Sequence, residues 1–394
     1  MRYYSIDILR TMAIAVMVIV HFSENLSGFT PPFEGFGAPI FALLSGMSYQ
    51  LWVDGQQRKG ISEMEISKVS IRRGLFVFFV GFAFNIFVWL PEDTFIWDVL
   101  TLIGMALLIL NGARQLPITV LVWAAATCLL ISPVLRQMAE YDTYWIDDTY
   151  EADLTLSDVI IGFLVTGYFP VFPWLTFSIA GLTIAKLMFP MRRNQHVVNM
   201  RSIANIERRS SDAEISRAMP QQAGIDQDQP VSVIPLVGCG LLAMMASAIL
   251  MMTRSYLPDV IGQKVLGGWY QFPATIEYVL GTIGMTLVAF AVLIVFVDRN
   301  PRAGEYRGLL NIAKTFSRYS FSIYVLHHLV HLWPLWIYGI MQGQEPTYYW
   351  KKAMPVSVSV PLAIIFLVGC FFLFRKLGPE RRIGIEGWMR WLCD

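Results

Sequence analysis

The chain has 394 residues and a formal charge of +1, with 55% hydrophobic and only 15% charged side chains. Soluble domains carry about 25% charged residues, so this composition excludes a water-soluble fold, a disordered chain and a secreted cysteine scaffold. The near-neutral balance also removes any general case for nucleic-acid binding.

Apolar runs near the ~20 residues that cross a bilayer recur along the whole chain. They cover 6–22, 36–53, 74–90, 95–111, 116–134, 159–188, 232–252, 274–297, 317–341 and 355–374. Ten such runs predict an all-α, polytopic integral membrane protein. The first has no small-residue cleavage site before Pro31, so it is expected as a retained helix rather than a signal peptide. The sixth is broken by Pro170 and Pro173. A short re-entrant or interfacial piece is expected there, with the main helix starting at Phe172. Such a break is tolerated at membrane depth only where protein or a water-filled cavity satisfies the freed backbone groups.

Charge placement predicts orientation. With the N-terminus cytoplasmic, 25 of the 30 Lys and Arg residues fall on the cytoplasmic side, and five (Arg136, Arg254, Lys264, Lys351 and Lys352) fall outside. That asymmetry predicts two cytoplasmic termini, and an even number of spans agrees. Segment 189–231 is polar, contains Arg208-Arg209-Ser210-Ser211 and lacks apolar periodicity. It is expected to be a flexible cytoplasmic loop between helices six and seven of a single transmembrane domain, 1–394. The outside loop 135–158 is acidic, with Tyr141, Tyr144, Trp145 and Tyr150 interleaved among its carboxylates. Solvation is the default reading of that face, and a carbohydrate-facing surface is the second. The four cysteines show no Cys-x-x-Cys spacing and no pair in an outside loop, so neither a disulfide nor a zinc site is expected from them.

Ionisable side chains inside spans are expensive and therefore candidates for function. The first span carries Asp7, Arg10 and His21. At ~100° per residue the eleven-residue step from Arg10 to His21 makes about three turns, so both project from one helix face. They stand about 16 Å apart along the axis, roughly half the hydrocarbon thickness. Asp7, one turn before Arg10, is placed to pair with the guanidinium. Singly these residues read as interfacial anchors; as a spaced pair, a cation and an imidazole on one stripe favour function.

Arg10-x10-His21 after Asp7, followed by Gly37-Ala-Pro-Ile-Phe-Ala-Leu-Leu-Ser-Gly46, resembles the opening of the transmembrane acyltransferase superfamily. That superfamily includes the acyltransferase-3 proteins and the heparan-α-glucosaminide N-acetyltransferase-like proteins. Phe41 to Gly46 resembles its F-x-x-S-G helix, and Tyr319-Ser-Phe-Ser-Ile-Tyr-Val-Leu-His327 its late S-Y-S-I-Y-L-x-H helix. Phe169-Pro-Val-Phe-Pro-Trp174 and Gly384-Ile-Glu-Gly-Trp-Met-Arg390 are similar to the glucosaminide branch. Thr11 replaces a frequent Gly, and His21 stands where the glucosaminide branch often has Asn.

The resemblance implies ten spans, Arg10 in acyl-CoA handling and His21 in catalysis. Acyl-CoA, most simply acetyl-CoA, is the expected co-substrate, with Arg10, Arg72 and Arg73 facing its phosphates from the cytoplasmic side. His21 is expected either to deprotonate the acceptor or to carry the acyl group itself; the first requires fewer rearrangements. Asp7, Glu34, Ser45, Tyr324 and His327 are expected to line the cavity or hold substrate, although Ser45 also suits close helix packing. Glu24, Glu277, Asp98 and Asn85 are boundary or cavity polar groups, with solvation as the default. His327 and His331 form an i, i+4 pair, but no Glu completes a zinc motif, so no metal is expected.

The expected function is acyl transfer from acyl-CoA to a carbohydrate or glycolipid at the outer face of a plasma membrane. The alternatives are a transporter or permease with the same topology, which the proline-broken sixth span would also suit, and a non-catalytic membrane scaffold. The acceptor, the acyl chain length, O- versus N-acylation and the oligomeric state, a homodimer included, stay open at this level.

Overall fold

A computed structural model describes residues 2–89, 94–146, 149–189, 232–377 and 384–394. The predicted flexible loop 189–231 lies outside the described residues apart from Phe189, and so do His196, Asp147 and Asp148. The protein is all-α. Its helices are α1 (Tyr4–Ser27), α2 (Gly37–Arg58), α3 (Glu63–Val88), α4 (Val99–Ala113), α5 (Ile118–Met138), α6 (Leu156–Ile161) and α7 (Val171–Met188). After the central segment follow α8 (Ile234–Thr253), α9 (Ile276–Leu293), α10 (Arg307–Arg318), α11 (Ser320–Met341), α12 (Val356–Leu377) and α13 (Ile385–Cys393).

Their ends follow ordinary capping chemistry. Ser62 accepts from the Glu65 amide at the start of α3, Asp98 from Leu100 at α4, and Thr275 from Tyr278 at α9. Gly28, at φ 68°, stops α1 in the left-handed conformation that glycine adopts without strain.

Each of the ten apolar runs overlaps a helix, and seven helices are long and apolar enough to cross a membrane: α1, α3, α5, α7, α8, α9 and α12. The chain is a multi-pass membrane protein. The remaining three runs fall short for physical reasons. α4 has only 15 residues, α2 carries Gln50, Asp54, Gln56 and Gln57 in its second half, and α11 carries three histidines. Polar groups of that kind are tolerated where a helix faces protein instead of lipid.

Burial separates inner from outer helices. α1 packs against α2, α9, α10, α11 and α12 and is the hub of the assembly. α8 and α12 leave Leu242, Met252, Ile365 and Phe372 exposed, the lipid-facing signature of a perimeter. α2 and α7 cross at backbone contact. A Cβ on Gly46 would collide with the Ser178 carbonyl oxygen, and one on Gly181 with that of Leu43. Gly46→Ala must therefore force the helices apart, and overpacking of this kind costs about 1–3 kcal/mol or more. Thermal unfolding in detergent is expected to show a lowered midpoint; an unchanged midpoint would contradict the packing described.

The break in the sixth run falls at Gly167–Pro170, between a π-turn at Gly162–Thr166 and α7. Phe172 itself is non-helical, so α7 straightens only after it. The freed amides of Tyr168 and Phe169 donate to the carbonyls of Ile96 and Trp97, both at 3.0 Å. Protein satisfies the break. The aromatic segment 135–158 serves the same place. Its short hairpin, β1 (Trp145–Ile146) and β2 (Thr149–Tyr150), brings Trp145 onto Tyr168 and Phe272, and the indole donates to the Thr166 carbonyl at 2.8 Å. With Tyr141 and Tyr150 also buried, these rings pack against the broken span.

Candidate active site

The uninterrupted helix α1 carries both sequence candidates. Arg10 reaches sideways to two neighbours, donating to the Ser317 hydroxyl of α10 at 2.9 Å and to the Ser48 hydroxyl of α2. Three turns on, His21 reaches α11, where its Nδ1 lies 2.9 Å from His327 Nε2. Arg10 thus meets α2 and α10, and His21 meets α11.

Below this seam lies a cavity of about 360 Å³, within the range of small-molecule sites. Arg10, Arg73 and Arg318 give it a cationic rim, and Ser45, Ser48 and Ser317 supply hydroxyls. Trp52, Phe41 and Leu107 form apolar wall. Arg73 is braced over the Trp52 ring, 4.6 Å from its centroid, and is paired with Asp394 at 2.7 Å. Arg10 is held by hydroxyls and a carbonyl, so its charge has no carboxylate in direct contact among the described residues.

The cavity ends at Tyr324. This phenol donates to the buried Asp98, 2.8 Å from each carboxylate oxygen, while Asp98 caps α4 through Leu100. The other side of the Tyr324 ring meets His327 and His328, with centroids at 5.5 and 5.6 Å. His21 does not itself line the cavity; Tyr324 stands between the two. Tyr324→Phe leaves Asp98 buried with one donor fewer, which costs about 1–3 kcal/mol. A lowered unfolding midpoint is the expected result, and an unaltered one would show that the phenol is not what holds Asp98.

The tail also lines the cavity, through Glu386 and Met389. Glu386 of α13 accepts from the amides of Phe321 and Ser322 at 2.8 and 2.9 Å and from the Ser322 hydroxyl, capping α11. A carboxylate suits the positive end of a helix dipole. Burial pushes its carboxyl up and the hydrogen bonds from Ser322 and Phe321 pull it back.

Several expectations need correction. Asp7 does not pair with Arg10: Arg2 wraps back from the chain start and takes its carboxylate at 2.5 Å, while the guanidinium of Arg10 turns to the serines. Arg72 is exposed and does not line the cavity, whereas its neighbour Arg73, about 100° further round α3, does. Glu34 is exposed on a 3-10 turn, also outside the lining. Ser45 and Tyr324 line the cavity, although the Ser45 hydroxyl is turned to the Ala42 carbonyl. Glu277 accepts from the Gly268 amide, and Asn85 donates to the Thr94 carbonyl. Arg318, Ser48 and Ser317 escaped the sequence reading. Arg318 and Ser317 sit just before the Tyr319–His327 segment singled out there, so that segment was the available signal.

Residues 2–210 match the family model described as "Heparan-alpha-glucosaminide N-acetyltransferase, catalytic". That match covers more than half of the chain, including Arg10 and His21. The chain belongs to this family. No curated protein matches the chain. Family membership makes it a membrane-embedded member of an acetyltransferase family, the branch that Phe169–Trp174 and Gly384–Arg390 resemble.

Proposed function

We propose that the protein transfers an acetyl group from cytoplasmic acetyl-CoA to an amino or hydroxyl group of a carbohydrate or glycolipid on the other side of a plasma membrane. In this reading the chain crosses the membrane ten times with both termini cytoplasmic, and Arg10, Arg73 and Arg318 lie on the donor side. The distribution of 25 against five basic residues supports that orientation. Three guanidinium groups around an apolar-walled cavity suit a polyphosphate with a long thioester arm.

The observation that carries the reading is the His21–His327 hydrogen bond and its tautomers. His327 Nδ1 lies 3.3 Å from the Ile323 carbonyl. A carbonyl only accepts, so neutral His327 keeps its proton on Nδ1 and offers a lone pair at Nε2. His21 then donates from Nδ1 and keeps its own lone pair on Nε2, the form a general base requires. The acceptor's N–H or O–H gives its proton to His21 Nε2 while the nitrogen or oxygen forms a bond to the thioester carbonyl. The C–S bond breaks, and the proton passes from the imidazolium to the departing thiolate. His327 steadies the imidazolium by continuing to accept from Nδ1, the orienting role of the third group in nucleophile–base systems.

Sealed membrane vesicles of both orientations, given acetyl-labelled CoA on one side only, test this reading. Labelled acceptor is expected only when the donor faces the cytoplasmic surface. Label crossing the membrane without any acylated product would favour the transporter reading.

A further inference from the structure

We propose that His21, His327 and His328 form a binding site for one divalent transition-metal ion of the zinc class. The sequence pairs His327 with His331, and the structure separates them. His331 donates from Nδ1 to the His327 carbonyl at 2.6 Å and meets Asn25 Nδ2 through Nε2 at 2.9 Å, so both of its nitrogens are engaged. His21, arriving from α1, takes the vacated place. The ligand-capable nitrogens of His21, His327 and His328 all lie within 4.8 Å of one another. Three imidazoles at 2.0–2.1 Å from a tetrahedral zinc ion stand about 3.3 Å apart, so small side-chain rotations close the set.

His328 is the second, independent observation. It is fully buried, yet neither Nδ1 nor Nε2 has a hydrogen-bond partner among the described residues. Phe84, Trp89 and Tyr324 pack around its ring and offer it no acceptor or donor in reach. Buried polar groups are ordinarily paired, and each exception calls for an explanation.

The surroundings fit an imidazole site. The Ile323 carbonyl already orients His327 through Nδ1, the outer-shell contact that metal-bound histidines use. Asp98, one ring away behind Tyr324, places a carboxylate near the added positive charge. Imidazole donors favour zinc, copper, nickel and iron over calcium or magnesium.

Coordination has one consequence that rests on the proposed reaction. A metal ion on His21 Nδ1 moves the ring proton to Nε2 and removes the base, so the metal-loaded protein is inactive until the ion leaves.

Co²⁺ titration of the tag-free, detergent-solubilised full chain tests the site without reference to activity. One equivalent per chain is expected, with the intense visible bands of a four-coordinate ion. Added Zn²⁺ should bleach them, and His327→Ala and His328→Phe should each lack them. Absent bands, or bands of equal strength in both variants, overturn the proposal. Should the variants fail to fold, X-ray absorption of the zinc-loaded wild-type chain decides. A shell of imidazole nitrogens at about 2.0–2.1 Å supports the site, and an oxygen- or sulfur-dominated shell overturns it. Stoichiometry and spectrum stand even if acetyl transfer is never found, so the two readings fail separately.

Discussion

Replacing His21 with alanine is expected to lower the acetyl-transfer rate by about 10²–10⁴-fold, the usual contribution of a positioned general base, while leaving donor binding within about twofold of wild type. The separation follows from geometry. His21 lies beyond Tyr324 and outside the lining of the basic cavity, and its ring contacts are His327 and His328. Truncation also leaves the His327 Nε2 lone pair without its donor, so the variant's fold must be checked by its unfolding midpoint. His327→Gln retains an acceptor on the same helix and is expected to keep more activity than His327→Ala. A transfer rate unchanged in His21→Ala, measured with labelled acetyl-CoA, would remove this histidine from the reaction.

Arg10→Ala is expected to act on the other half of the kinetics, raising the KM for the donor by about 10- to 100-fold. A charge-assisted hydrogen bond is worth about 1.5–3 kcal/mol, and each 1.4 kcal/mol is tenfold in affinity. Two features make Arg10 the sensitive position on the rim. Among the described residues its charge has only hydroxyl and carbonyl partners, whereas Arg73 already answers to Asp394. It is also held in place from two helices, by Ser48 and Ser317, so its fork is aimed before any ligand arrives. Arg10→Lys keeps the charge but loses the two-pronged geometry, and an intermediate KM is expected. A donor KM that stays at the wild-type value in Arg10→Ala would place the phosphates elsewhere.

Much of the fold was legible because lipid imposes a simple rule. A segment that must hide all its backbone polar groups and present an apolar surface becomes a long hydrophobic helix, and α1, α5, α8, α9 and α12 read as such directly. The broken sixth run was legible from Pro170 and Pro173, but its remedy was not. The amides of Tyr168 and Phe169 find carbonyls some seventy residues away at Ile96 and Trp97, a contact that no local pattern announces.

The site divides in the same way. Arg10 and His21 were visible because helical periodicity relates residues eleven apart on one element. His327 stood out within a motif, and its bond to His21, 306 residues away, exists only in the tertiary structure. The Asp7–Arg10 pairing failed for a related reason. Spacing allows an i, i+3 pair, but it does not know that Ser48 and Ser317 compete for the guanidinium or that Arg2 is free to fold back. In the aromatic segment 135–158, composition suggested a solvated face, while packing buries Tyr141 and Tyr150.

The most direct measurement is a cryo-EM structure of the full chain with a non-hydrolysable acetyl-CoA analogue. The thioester carbonyl is predicted to sit past a displaced Tyr324, within hydrogen-bond reach of an acceptor poised at His21 Nε2. The analogue's phosphates are predicted to lie against Arg10 and the rim of the cavity. Phosphates bound away from that rim, or an acyl group that ends on a face of α1 remote from His21, would contradict the account.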